Sequence, residues 1–323
     1  MSEQVKPALE GVIGIWKPAG WTSHDVVAKA RSLLGVRRIG HTGTLDPAVT
    51  GVLPLCIGRA TRLVEYLQEM PKTYEATLRF GIATDTEDTS GSIVAEADAS
   101  HLTVSRMTEA VQSFVGEIWQ VPPMVSAVKV NGRRLYELAR QGVTVERQPR
   151  RVTIHAVEII DAAVGIAHPE IRFSVRCSKG TYIRTLCSDI GHALGVPAVM
   201  ASLVRTESAG LRRGDCITLE EIPTLAAASR LSERIKPGDR LLTHYPRAVA
   251  SASASVAAVQ GKRIAAQQLA PIPEAPGLWL VDSPDGAFVG IFELEEQSGL
   301  LRAVKVFASA DPKVRPSGEI ETC

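Results

Sequence analysis

The 323-residue sequence has no excess of charge of either sign: 36 Lys and Arg stand against 35 Asp and Glu, a formal net charge of +1. No global field steers such a chain onto a polyanion, so any nucleic-acid binding must rest on local patches. Long apolar runs are missing too. No stretch approaches the roughly 18 uninterrupted apolar residues of a membrane span, and the opening MSEQVKPALE has no apolar segment behind a basic one. Neither secretion nor a membrane association is expected, and the protein reads as cytoplasmic. Cysteine is scarce: Cys56, Cys177, Cys187, Cys216 and Cys323 are odd in number, widely spaced and never form C-x-x-C. A disulfide framework and a structural zinc are therefore not expected. The seven histidines stand singly, without H-E-x-x-H, and no C-x-x-C is present to complete a deaminase ligand set, so metal-assisted hydrolysis and zinc deaminase chemistry lose their usual ligands. The phosphate-cradling G-x-x-x-x-G-K-[ST] loop is also absent.

What is there is an ordinary globular composition, 45% apolar and 22% charged, with enough chain for one large core or two domains. Thr22 and Ser23 offer helix caps, Val26, Val27, Ala30, Leu33 and Leu34 follow helical spacing, and Gly35 stops the run. From Arg37 to Gly58, six glycines and prolines predict an ordered loop or a set of turns. Ala60, Leu63, Val64 and Leu67 describe another helix, and strict alternation from Lys72 to Gly81 predicts a strand with Tyr74, Ala76, Leu78 and Phe80 on one face. Beyond the polar turn TDTEDTSG, a helix is expected through Val104, Met107, Val111 and Phe114, and a hairpin at VKVNGRRL. Ile171, Phe173, Val175 and Cys177 alternate as a strand; Gly180 breaks it, and Ile183, Leu186, Ile190 and Leu194 share a helical face. Helices and strands mix without a regular βαβ period, which points to an α+β fold, a mixed and largely antiparallel sheet with flanking helices, rather than a doubly wound parallel sheet. Around AVASASASVAAV the composition shifts, and Leu278 to Phe307 reads as three short strands of a small β-rich second domain. The domains expected are 1–245 and 246–312, followed by a loose tail, 313–323.

Three stretches can carry chemistry. In GHTGTLDPAVTGVLPLCIG, Asp46 is the single carboxylate; Pro47 pushes it toward an extended conformation, and the glycines let the backbone turn tightly on both sides. The segment is either a surface Asp-Pro turn or a loop built to present one acid. In CSKGTYIRTL, Lys179 at a strand end and Arg184 in the first helical turn either are solvated or converge with backbone N–H groups on a phosphate or carboxylate. Residues 129–151 hold Lys129, Arg133, Arg134, Arg140, Arg147, Arg150 and Arg151 against Glu137 and Glu146, a local excess of five positive charges. This is a solvated face or a loop gripping an RNA backbone. The Tyr74 ring belongs by default to the core, with its hydroxyl free to reach a site at the strand end, and His41 is a lone histidine close to the acid-bearing turn.

Taken together, GVIGIWKPAGWTSHDVV, GHTGTLDPAVTGVLP, KTYEATLRFGIATDTEDTSG, PPMVSAVKVNGRRLYELARQG and CSKGTYIRTL resemble, in order, the motifs of the bacterial tRNA pseudouridine-55 synthase (TruB) family. The resemblance implies the pseudouridine synthase fold followed by a PUA-like RNA-binding domain. It implies an enzyme without a cofactor that isomerises the T-loop uridine of tRNA to pseudouridine. By the same resemblance Asp46 is the nucleophile, Tyr74 the aromatic that contacts the target base, and Arg184 the partner that holds Asp46. Lys179 and Tyr182 belong to the wall of the site, Leu203 lines the uracil pocket, and His41 fills the space left by the flipped base. The implied partner is tRNA, through its T-arm and elbow and, for the second domain, its acceptor end; no protein partner is required and nothing demands more than a monomer.

Two other readings compete. One is a tRNA-binding and tRNA-folding module with a vestigial pocket, against which the intact Leu45-Asp46-Pro47 motif speaks. The other is a glycoside or nucleoside hydrolase, which wants two carboxylates flanking the bond where only Asp46 stands in a suitable motif.

Overall fold

The computed structural model describes residues 9–308 except 127, 131, 140, 144 and 297; the tail expected at 313–323 lies outside them. The described chain divides into two compact units, one built on residues 13–55 and 64–235 and the other on 236 onward together with 56–63 and the N-terminal segment.

The larger unit is organised by an 11-stranded mixed sheet, whose main path runs Cys216–Ile217, Gly11–Lys17, Thr50–Ile57, Ala198–Ser208, Lys72–Phe80, Glu170–Cys177, Arg150–Ala163, Gly116–Gln120. Pairing is antiparallel from Ala198–Ser208 to the far edge and parallel between Ala198–Ser208 and Thr50–Ile57. This is the α+β, largely antiparallel arrangement the element order predicts. Lys72–Phe80 alternates buried and part-exposed residues along its whole length, so Tyr74, Ala76, Leu78 and Phe80 enter the main core with Ile171, Phe173 and Val175 of the neighbouring strand. Helices Val104–Gln112 and Ile183–Leu194 add Met107, Val111, Leu186 and Ile190 to the same core. Ser23–Leu34 forms as expected: the Thr22 side chain accepts from Asp25 N–H, the Asp25 carboxylate accepts from Thr22 N–H, and Gly35 closes the C-terminus in the left-handed region.

The segment Arg37 to Gly58 is not the succession of turns its glycines and prolines suggest. It contains Ile39–His41 and a full strand, Thr50–Ile57, which is buried from Gly51 to Ile57. Both faces of that strand are covered, so it has no polar alternation to show. Gly51 is required by its neighbour: at φ 121° it lies so close to the paired strand that a Cβ would overlap the backbone of Arg205. The helix expected over Ala60 to Leu67 begins as a 3-10 turn, Gly58–Leu63, and becomes α-helical only at Val64–Glu69.

The smaller unit carries a six-stranded sheet in which Gly277–Asp282, Phe288–Leu294 and Leu300–Val306 are the three expected strands. The Ala/Ser-rich stretch resolves into strand Arg247–Ala250 and helix Ala252–Val259, whose small residues Ala254 and Ala258 pack with Val281, Phe292 and Leu301. The Arg247 guanidinium is held by Asp282 at 2.6 Å and Asp239 at 3.1 Å inside this unit. No helix among the described residues is long and apolar enough to cross a membrane.

Candidate active site

The carboxylate of Asp46 is held by its loop before it is held by any partner. The Asp46 carbonyl accepts from Val49 N–H at 3.1 Å, closing a turn with Pro47 at its second position. The Ser23 hydroxyl accepts from Leu45 N–H at 2.9 Å. Pro47 O accepts from Gly20 N–H at 2.8 Å and from Lys17 Nζ at 3.1 Å. The segments Lys17 to Ser23 and Gly43 to Val49 thus lock one another, and Leu45 and Val49 anchor the turn in the main core. The acid at its tip is half-exposed: the Asp46 side chain is 45% exposed while the Arg184 side chain beside it is 4% exposed.

Arg184 meets that acid with Nη2 at 3.1 Å from Asp46 Oδ2. Both of its amino groups also donate to backbone carbonyls. Nη1 donates to Thr86 O at 2.9 Å, Nη2 to Val125 O at 2.8 Å, and Nε stands 3.8 Å from Asp88 Oδ2. The guanidinium is therefore fixed from three segments, one of them the polar TDTEDTSG turn, which leaves it little freedom to swing from Asp46. Its helix begins at Tyr182 without a side-chain cap. Buried Gln120, from the strand beside it, takes that part: its Oε1 accepts from Tyr182 N–H at 3.1 Å and its Nε2 donates to Tyr182 O at 3.2 Å.

Asp46, Tyr74, Lys179, Tyr182, Arg184 and Leu203 all line one cavity of ≈ 320 Å³, a volume that suits a single nucleobase and part of its sugar. Tyr74 is buried, and its hydroxyl is pushed above its ordinary pKa by burial, against which the charge and hydrogen bond of Arg205 act. Burial likewise raises the Tyr182 hydroxyl. Lys179 is paired with Glu69 in an exposed ion pair instead of standing ready for an anion. His41 is not in the lining: it lies just upstream, where Nδ1 accepts from Gly43 N–H at 3.2 Å and the ring meets His24 edge-on with centroids 6.1 Å apart. Burial and the positive neighbours His24 and Arg205 hold it below its ordinary value of 6.5.

Among the described residues, none of the segment 129–151 lines the cavity. Lys129–Val130 pairs with Arg133–Arg134 as a short hairpin, followed by helix Leu135–Ala139. Arg133 is exposed and donates to Gln141 at 2.6 Å; the side chains of Lys129 and Arg134, and the whole of Arg140, lie outside the described ones. Arg147 donates to Pro122 O at 3.0 Å, and Arg151 pairs with Glu117 at 3.3 Å.

Three buried cations at or beside the site escape a reading of the sequence. Lys17 is fully buried and Lys72 nearly so, and burial lowers each from 10.5 to about 8. Lys72 donates to Gln68 O and Met70 O, both at 2.8 Å. Arg205 is 1% exposed and, like Lys72, lines the cavity. The signal for Arg205 stood two residues from Leu203 in MASLVRT, but an arginine in an alternating strand reads as surface. Among the described residues, no group of three or more His, Cys, Asp or Glu side chains is placed to hold a metal ion.

The profile of the TruB family pseudouridylate synthase (N terminal domain) matches residues 31–183, and that of the tRNA pseudouridylate synthase B C-terminal domain matches residues 184–243. The chain is 51% identical over 253 residues to the tRNA pseudouridine synthase B of Symbiobacterium thermophilum, spanning 78% of this chain and 82% of that one. To the protein of the same name in Clostridium novyi it is 40% identical over 283 residues, 88% and 95% of the two chains. Among solved structures, a chain of a Cbf5-Nop10-Gar1 complex superposes with a TM-score of 0.72 at 27% identity, covering 93% of this chain and 85% of that one. A chain of an H/ACA RNP bound to a substrate RNA containing 2′-deoxyuridine gives a TM-score of 0.71 at 25% identity, covering 93% and 86%.

Proposed function

The chain belongs to the TruB family of pseudouridylate synthases and isomerises uridine in tRNA to pseudouridine, and we propose that its target is the T-loop uridine at position 55 and its nucleophile Asp46. The observation that carries the assignment of Asp46 is its exposure at the mouth of a nucleobase-sized cavity while the guanidinium 3.1 Å away is buried.

Isomerisation breaks the N1–C1′ bond, forms C5–C1′, and moves the proton lost from C5 to solvent while N1 gains one. It is redox-neutral and needs no second substrate. An ionised carboxylate serves each of three routes: attack on C1′, addition to C6 of the ring, or removal of the C2′ proton on a glycal path. In each, the detached uracil has to stay in place and water has to stay out, which is the part assigned to Tyr74, Tyr182 and Leu203 around the base. A uridine in a folded loop is reached only by extrusion, at a cost of a few kcal/mol of unstacking. His41, beside the cavity, is proposed to occupy the vacated place in the loop, and the segment 129–151 to hold the RNA backbone. The C-terminal domain expected over residues 246–312, β-rich in its described part, is proposed as a PUA-like module for the acceptor end. The protein is proposed to work in the cytoplasm as a monomer without partner proteins.

Mapping of pseudouridine in an unmodified tRNA transcript incubated with the protein tests the site: one new pseudouridine is expected, at position 55. Modification elsewhere alone refutes the position. Release of free uracil with an abasic residue would identify a hydrolase, and faster tRNA refolding with no pseudouridine would identify a folding module.

A further inference from the structure

The largest fully buried side chain among the described residues is a cation, Arg205, and burying a guanidinium is costly unless its donors are satisfied by design. Its strand places it at a crossroads: Arg205 is in register with Gly51 on the parallel side and with Tyr74 on the antiparallel side. Its donors run to backbone carbonyls on both arms of the acid-bearing loop. Nε donates to Val52 O at 2.8 Å, beyond Asp46 in the chain, while Nη1 and Nη2 reach Thr44 O at 3.4 Å and Gly43 O at 3.2 Å, before it. Burial of one cation thus ties residues 43–44 to residue 52 across the turn that displays Asp46. The absence of a Cβ at Gly51 is what permits the approach.

We infer that Arg205 is a positioning residue of the reaction, stapling the two arms of the Asp46 loop from inside the cavity and setting the height of the carboxylate over the bound nucleotide. Its proximity to the Tyr74 hydroxyl gives it a second point of leverage on the same cavity. Lysine cannot replace it: a single ammonium has the charge but not the planar fork that reaches three carbonyls in two directions. A displacement of about 1 Å at the reacting carboxylate is enough to cost on the order of 100-fold in rate, so the effect belongs in kcat and not in tRNA affinity.

The inference rests on the proposed role of Asp46, and the experiment separates the two. Wild type, Asp46→Asn, Arg205→Lys and Arg205→Gln are compared in full-length form by single-turnover tritium release from tRNA containing C5-labelled uridine, by tRNA binding and by thermal unfolding. The expected result is that Arg205→Lys remains folded, binds tRNA within about threefold of wild type and turns over on the order of 100-fold more slowly. Arg205→Gln is expected to be slower still. The inference is overturned if Arg205→Lys turns over within threefold of wild type, if its loss of rate is matched by loss of tRNA affinity, or if both Arg205 variants lose their fold. An Asp46→Asn variant as active as wild type would sink the proposed role of Asp46 instead, whatever Arg205 does.

Discussion

At the scale of single residues, the site depends on how a few polar groups are fixed. Asp46 is presented by a turn whose neighbours, Leu45 and Pro47, are tied to Ser23, Gly20 and Lys17, and Arg184 is fixed by two carbonyls before it meets the acid. His41 offers a test of this economy. Its Nδ1 accepts from Gly43 N–H, which only the neutral ring can do, and the folded chain holds it below 6.5. The unfolded chain therefore takes up this proton first as pH falls, so the contribution to stability is complete above about 6.5 and is lost below it. Denaturant titrations between pH 7.5 and 5 should show wild type losing stability on acidification more steeply than His41→Gln. Equal slopes would mean that the ring does not govern the Gly43 turn. Of the residues that matter here, Asp46, Tyr74 and Arg184 are singled out in the sequence by their motifs' resemblance to the family; glycine, proline and alternation alone leave a surface turn, a core ring and a solvated arginine as open readings. Lys17, Lys72 and Arg205 are not, since a charged residue in a strand is normally a surface residue and only the tertiary fold buries it.

At the scale of elements, what the sequence reveals follows the number of faces an element exposes. Lys72–Phe80 and Glu170–Cys177 keep one face in the core and so declare themselves by alternation. Thr50–Ile57 is covered on both sides and interrupted by Gly51 and Pro54, so its composition mimics a loop while its hydrogen bonding makes a central strand. The start of helix Ile183–Leu194 is another feature hidden from sequence, because its cap is Gln120, 62 positions away. Replacing Gln120 with Leu preserves approximate size but strands the Tyr182 N–H, while the Tyr182 carbonyl keeps its bond from Leu186 N–H, at a cost of about 1–3 kcal/mol. The same change should loosen the first turn, which carries Arg184. Chemical unfolding and turnover measured together should both fall; unchanged stability would show that water caps the helix as well as Gln120 does.

At the scale of the whole molecule, a chain of net charge +1 that acts on tRNA must attract its substrate with patches and not with a global field. The exposed arginines Arg133 and Arg150 are proposed to face phosphates. Reversing either to Glu should weaken tRNA binding and lower the slope of log K against log salt by about 1 for each phosphate that is no longer neutralised, leaving the rate for bound tRNA nearly unchanged. An unaltered slope would mean that other side chains hold the RNA backbone. The change of composition near residue 246 does not mark where the chain divides, which is at residue 236. Nor was the assignment of residues 56–63 to the C-terminal unit legible, because nothing local marks a segment for a distant partner. Every level, from turn to sheet to charge, converges on one half-exposed carboxylate, and the decisive measurement is tritium release from C5-labelled tRNA by Asp46→Asn, with tRNA binding measured on the same sample. Binding close to that of wild type is predicted, with turnover lowered by at least about 1,000-fold, the scale on which loss of a covalent nucleophile is felt; release at the wild-type rate would contradict the central claim.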